Sequence, residues 1–179
     1  MVARIRPNGA SEDKERKEAA FSASYALLGK IKRIPGTGDD GVINASSLKE
    51  WVTEVCSLCV KYGRARIGDQ KIGQILAGAP AGDDGIWPCK PARDVLEEIG
   101  SPDIAIGVSV AVYNSRGVHA RGEGGDQERE IAEKFRNWSR QLAFEYPYVA
   151  NLVAQIANSY EHDAMREDSD AAVRRRLRY

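Results

Sequence analysis

Ser101-Pro102-Asp103-Ile104-Ala105-Ile106-Gly107-Val108-Ser109-Val110-Ala111-Val112 is the stretch that decides the fold class. Ile104, Ile106, Val108, Val110 and Val112 alternate with small residues, which is the two-residue period of a strand. Against this, Ser101 is a helix cap, Pro102 suits the first helical position and Asp103 puts an acid in the first turn. A strand here would lack a partner, because nothing else in the chain alternates over this length. The helix start outweighs the alternation, with a strand at 104–112 kept as the alternative.

On either side the spacing is helical. Phe21, Tyr25, Leu28 and Ile31 share one face of a helix that Ser11 can cap, with Glu12, Asp13 and Glu15 at its positive end. Ser47 and Glu50 form a capping-box pattern ahead of Leu48, Trp51, Val52, Val55, Cys59 and Tyr62. A shorter helix is expected over 69–77, burying Ile72, Ile75 and Leu76. Residues 80–91 form a turn region plugged by Trp87, and Pro91 then starts a helix that Gly100 ends. Further on, Ile131, Phe135, Trp138 and Leu142 step by helical intervals, and Pro147 opens a helix striped with Val149, Leu152, Val153, Ile156 and Tyr160. The short junction predicts that 126–145 and 147–166 pack antiparallel around Phe135, Trp138, Leu142, Leu152, Val153 and Ile156. The expectation is an all-α bundle of five to seven helices. It comprises a flexible arm (1–10), one helical domain (11–166) and a basic C-terminal helical tail (167–179).

Composition narrows the function classes. The chain has 179 residues, enough for one domain with a sizeable core, and it is 42% hydrophobic and 29% charged. Lys plus Arg equals Asp plus Glu at 26 each, so no overall field draws it to nucleic acid. The ends are less even: residues 1–35 carry eight basic groups against four acidic ones, and Arg174, Arg175, Arg176 and Arg178 close the chain. No apolar run approaches the roughly 20 residues that span a bilayer, and no secretory signal opens the sequence, so no membrane partner is expected. Three cysteines, an odd number, speak against a disulfide framework and for the cytoplasm.

The polar, glycine-rich segment 113–129 is the candidate functional feature, since connectors of this length in compact domains are uncommon. Tyr113, Asn114, Arg116, Arg121, Gln127 and Arg129 concentrate arginine and aromatic groups of the kind that protein interfaces favour. Gly122-Glu123-Gly124-Gly125 before a helix resembles a phosphate cradle; it lacks the Gly-Lys-Ser/Thr ending and carries acids that repel phosphate, which Arg116, Arg121 and Arg129 could offset to leave anion binding as an alternative. Cys56, Cys59, Cys89 and His119 are weak zinc candidates, because the first two fall inside a periodic helix rather than on a tight knuckle. His162, between Glu161 and Asp163, reads as a solvent-facing helical residue. Ile72 to Ala77 has the flavour of a helix-turn-helix start, but the acidic stretch 78–88 is too long for its turn. No catalytic constellation and no cofactor motif is present.

The motifs Tyr113-Asn114-Ser115-Arg116-Gly117-Val118 and Gly124-Gly125-Asp126-Gln127-Glu128-Arg129 occur with Ile72-Gly73-Gln74-Ile75-Leu76, Gly85-Ile86-Trp87-Pro88-Cys89 and Ser159-Tyr160-Glu161. As a set they resemble a helical region of uncharacterised bacterial proteins, often placed at the C-terminal end of a longer chain. The resemblance covers roughly residues 25–165 and carries no catalytic role. It implies a bacterial origin and a terminal module that binds a partner. The sequence therefore predicts a protein-interaction module using the 113–129 connector. The alternative is nucleic-acid binding through the basic arm and Arg174, Arg175, Arg176 and Arg178.

Overall fold

In the computed structural model the described residues are 16, 31, 33–115 and 124–177. The chain divides into Met1–Lys32 and Arg33–Tyr179, and the helices belong to the second unit, among the described residues numbered 33 and above. The expected arm at 1–10 and the helical face of Phe21, Tyr25 and Leu28 lie outside the described residues, as do Arg116, His119, Arg121 and Arg178.

Six helices make up this unit among the described residues: α1 (Ala45–Lys61), α2 (Ala65–Leu76), α3 (Lys90–Ile99), α4 (Pro102–Ser115), α5 (Asp126–Leu142) and α6 (Pro147–Leu177). An isolated bridge between Thr37 and Ile43 is the one piece of β pairing described. The fold is all-α, and the decisive stretch is helix α4. Its alternation is not a strand's: Ile104 and Val108, four apart, are fully buried, whereas Ile106 and Val110 are 48% and 44% exposed.

Burial of α4 depends on glycine. A Cβ on Gly107 would overlap the backbone of Gln70, coming within 2.8 Å of its carbonyl carbon. On α2, a Cβ on Gly73 would overlap the Ile104 carbonyl and reach 3.0 Å from Val108 N. Two helices approach this closely only where side chains are missing. Polar ties cross the same contact: Arg66 and Gln70 donate to Asp103 at 3.2 and 3.0 Å, and Ser101 Oγ donates to Asp69 at 2.6 Å.

Helices α5 and α6 form the expected antiparallel pair. Ser139 Oγ donates to the Ala150 carbonyl near the turn, and Gly125 lies against Ala164 at the far end. Phe135, Leu142, Leu152, Val153 and Ile156 are buried as expected. Trp138 is the correction: it is half-buried, packed edge-on against Phe135 with its indole N–H donated to the Gly85 carbonyl at 3.0 Å.

Three boundaries also differ from the sequence reading. Helix α1 starts ahead of Ser47, because the Asn44 carboxamide accepts the Ser47 N–H at 2.9 Å and caps the helix. Tyr62, at its C-terminal cap, is 69% exposed and lies outside the core. Helix α2 starts at Ala65 rather than 69, since Gly63 at φ +65° reverses the chain directly after α1. Helix α6 continues through 167 without a break. No glycine or proline interrupts it, and its buried stripe of Tyr160, Ala164, Glu167 and Ala171 runs past that point. No helix among the described residues is long and apolar enough to cross a membrane.

Candidate functional site

The connector is shorter than the sequence suggested, because helices claim both of its ends. Tyr113 and Asn114 belong to the last turn of α4, and Gln127 and Arg129 to the first turns of α5. Tyr113 and Asn114 face solvent beside a cleft of about 330 Å³. Val110, Val112 and Tyr113 of α4 form one wall; Ile156, Ser159, Tyr160 and Asp163 of α6 form the other. The wall extends along α4 as an exposed row, Ile106, Val110 and Tyr113, at spacings of four and three. The sequence reading missed Ile106 and Val110 as surface residues. The signal was there in the 106–110–113 helical interval, hidden beneath the two-residue alternation.

The floor of this region is an aromatic cluster. Tyr160 stacks on Phe135 with ring centroids 5.8 Å apart, and Phe135 meets Trp87 and Trp138 edge-on. Trp87 donates its indole N–H to the Ala79 carbonyl at 2.9 Å and plugs the turn region as expected. Behind it, Arg93 is only 4% exposed and organises the loop before α3. It grips both oxygens of Asp84 at 2.7 and 2.8 Å and donates to the carbonyls of Ile86 and Pro88. That bidentate bond holds the Asp84 carboxyl down at about 2.

At the other side of the connector, Gly124 has φ +87° and Gly125 is buried against α6. Gly124 and Gly125 thus serve a turn and a close approach. The helix start is already occupied by an anion from within: Asp168 of α6 accepts the Gly125 N–H at 2.9 Å. Arg129 pairs with Asp168 and, at 3.0 Å, with Asp126, so this candidate recognition residue also anchors the fold. Gln127 is exposed.

The remaining candidates are dispersed. Cys56 and Cys59 are half-buried on α1, and burial followed by the nearby Asp69 carboxylate raises both thiols. Cys89 is buried at the start of α3, where its charged neighbours are Arg93 and Asp84, and burial raises its thiol too. Raised thiols disfavour the thiolate that metal binding or nucleophilic attack requires. Among the described residues, no group of three or more His, Cys, Asp or Glu side chains is arranged to hold a metal. Arg174, Arg175 and Arg176 are exposed on the final turn of α6, as the helix dipole favours. Arg174 is turned back on its own helix, toward Glu167 at 4.0 Å and the Asp170 carbonyl at 3.3 Å. His162 is exposed, as its charged neighbours predict.

In comparison with known proteins, no family model matches the chain, and no curated protein or solved structure does either.

Proposed function

We propose that this chain is a protein-interaction module of the bacterial cytoplasm. Its recognition surface is the end of α4, with the adjoining cleft and the connector that follows. The observation that carries this reading is the exposed row Ile106, Val110 and Tyr113, set beside a cleft over packed aromatic rings. Apolar residues three and four apart on an exposed helix face match how helical segments dock on one another. Tyr113, exposed beside the cleft, is of the aromatic type that interfaces enrich. The bacterial and cytoplasmic parts rest on the motif resemblance and on the unpaired cysteine count.

Affinity capture from a bacterial lysate with nuclease present tests the reading. The bait is the wild-type chain, a Val110→Glu/Tyr113→Ala variant, an Arg116→Ala/Arg121→Ala variant, and a Val60→Glu control on the 66% exposed site of α1. The expected result is one stoichiometric protein held by wild type and control and lost by both α4 and connector variants. Surface changes of this kind alter stability by only about 0.5 kcal/mol, so melting temperatures stay close to wild type. Equal capture by all four baits refutes the reading. Nucleic-acid binding through the arginine-rich end has weaker support, since Arg174 is engaged within its own helix. Its signature would be recovery of nucleic acid without nuclease, weakening steeply with salt.

A further inference from the structure

Helix α5 starts without a side-chain cap of its own, because its N-cap residue is Gly125. The first amides of any helix need acceptors from elsewhere. Here the acceptor arrives from α6, 43 residues along the chain: Asp168 Oδ1 takes the Gly125 N–H at 2.9 Å. The other oxygen of the same carboxylate pairs with the Arg129 guanidinium one turn into α5. Contact and direction are thus supplied separately. Gly125 brings the backbone against α6, since a Cβ there would come within 2.6 Å of the Ala164 carbonyl carbon. Asp168 then aligns the first turn through two bonds on two different groups. The start of α6 uses the same device, with Glu97 of α3 accepting from Tyr148 N and Val149 N at 3.0 Å each.

We propose that Asp168 is a positioning residue: a carboxylate latch that fixes where the chain enters α5 and so sets Gln127 and Arg129 beside the connector. That Gln127 and Arg129 border a recognition surface rests on the proposed function; the latch itself does not. The last turns of α6 thereby become part of the frame around the connector. Residues 168–177 continue α6 without a break. Glu167 and Ala171 are buried, Arg175 lies close enough to act on the Asp168 carboxylate, and Asp168 reaches forward to the start of the previous helix.

Amide exchange on the full chain tests this without any partner, so its failure is separable from failure of the interaction reading. The variants are Asp168→Ala, Asp168→Asn and Arg129→Gln, with exchange followed residue by residue at 125–129. In Asp168→Ala, exchange at these amides should rise roughly tenfold, the scale of one charge-assisted bond lost from a locally opening turn. Arg129→Gln should show a smaller rise, since the Gly125 bond remains. Amides of α2 and α3 should not change.

A pH series supplies a readout that mere packing would not move. The charged groups facing Asp168 are Arg129 on α5, with Asp126 beside it, and Arg175 on its own helix. Protection of 125–129, corrected for intrinsic exchange, should fall in the wild type as acid titrates the Asp168 carboxyl. In Asp168→Asn it should lose that dependence. Unchanged exchange in Asp168→Ala, uniform acceleration across all helices, or an identical pH profile in Asp168→Asn each overturns the latch.

Discussion

Placing a single methyl group at residue 107 tests the closest helix contact in the fold. Gly107→Ala improves the intrinsic helix propensity of α4 by about 1 kcal/mol, so on an isolated helix it would stabilise. Here the added carbon would overlap the Gln70 backbone, 2.8 Å from its carbonyl carbon and 2.9 Å from its Cα. Ordinary contact needs several tenths of an ångström more, and the obstacle is main chain that no rotamer change can move. Helices α2 and α4 must separate, which loosens Ile104, Val108, Ile72 and Leu76, all 1% exposed or less. Overpacking of this kind costs roughly 1–3 kcal/mol or more. Main-chain overlap puts the cost at the upper end of that range, about 3 kcal/mol, so after the propensity gain of about 1 the net loss is about 2 kcal/mol, or roughly 4–8 °C in melting temperature for a domain of this size. Gly73→Ala attacks the same contact from α2. Once the helices have moved apart the second methyl should cost less, so the double variant should fall short of the sum. Gly63→Ala is the control, with open space around it and only its φ of +65° to penalise a side chain. Calorimetry on the four variants decides the matter. A Gly107→Ala protein that melts at or above the wild-type temperature refutes the close crossing.

Two further outcomes follow from the loop beneath the aromatic floor. The folded Asp84 carboxyl, held at about 2 by Arg93, lies below its unfolded value near 3.9, so the pair stabilises fully above about pH 4 and loses this contribution as pH falls toward 2. Thermal melts from pH 6 to pH 2.5 should show that loss, and Asp84→Asn should flatten it; an equally steep acid loss in the variant would discount the pair. Trp87, 9% exposed, should cost about 3–5 kcal/mol on replacement by alanine, whereas half-buried Trp138 should cost only about 2. Urea titration that ranks the two in the opposite order would contradict the packing described.

The residues show why parts of the fold were legible and others were not. Helix α4 is announced by Ser101-Pro102-Asp103, a local signal that survives folding intact. Its competing alternation arose because Ile106 and Val110 are apolar yet exposed, which spacing alone cannot separate from a second buried face. The α5–α6 pair was readable because its apolar steps are helical and its junction is short. The extent of α6 was not, since Asp168 looks like the acid of a new helix start when its true partners, Gly125 and Arg129, lie about 40 residues earlier. The 113–129 segment stood out as polar and glycine-rich. Which of its members reach solvent and which brace the fold depended on where α4 ends and α5 begins.

Local chemistry, then, was enough to determine that this chain is helical and roughly where its helices lie, because caps, prolines and apolar periodicity act within a turn or two. It also set the core of the α5–α6 pair, Trp138 excepted. Tertiary structure alone decided that Gly73 and Gly107 let α2 and α4 touch, that Arg93 and Asp84 tie down a loop, and that Asp168 caps a distant helix. The physical reason is common to all three. A missing Cβ, a buried guanidinium and a carboxylate are each ambiguous in sequence, and each acquires its meaning from a backbone group that the folded chain places against it.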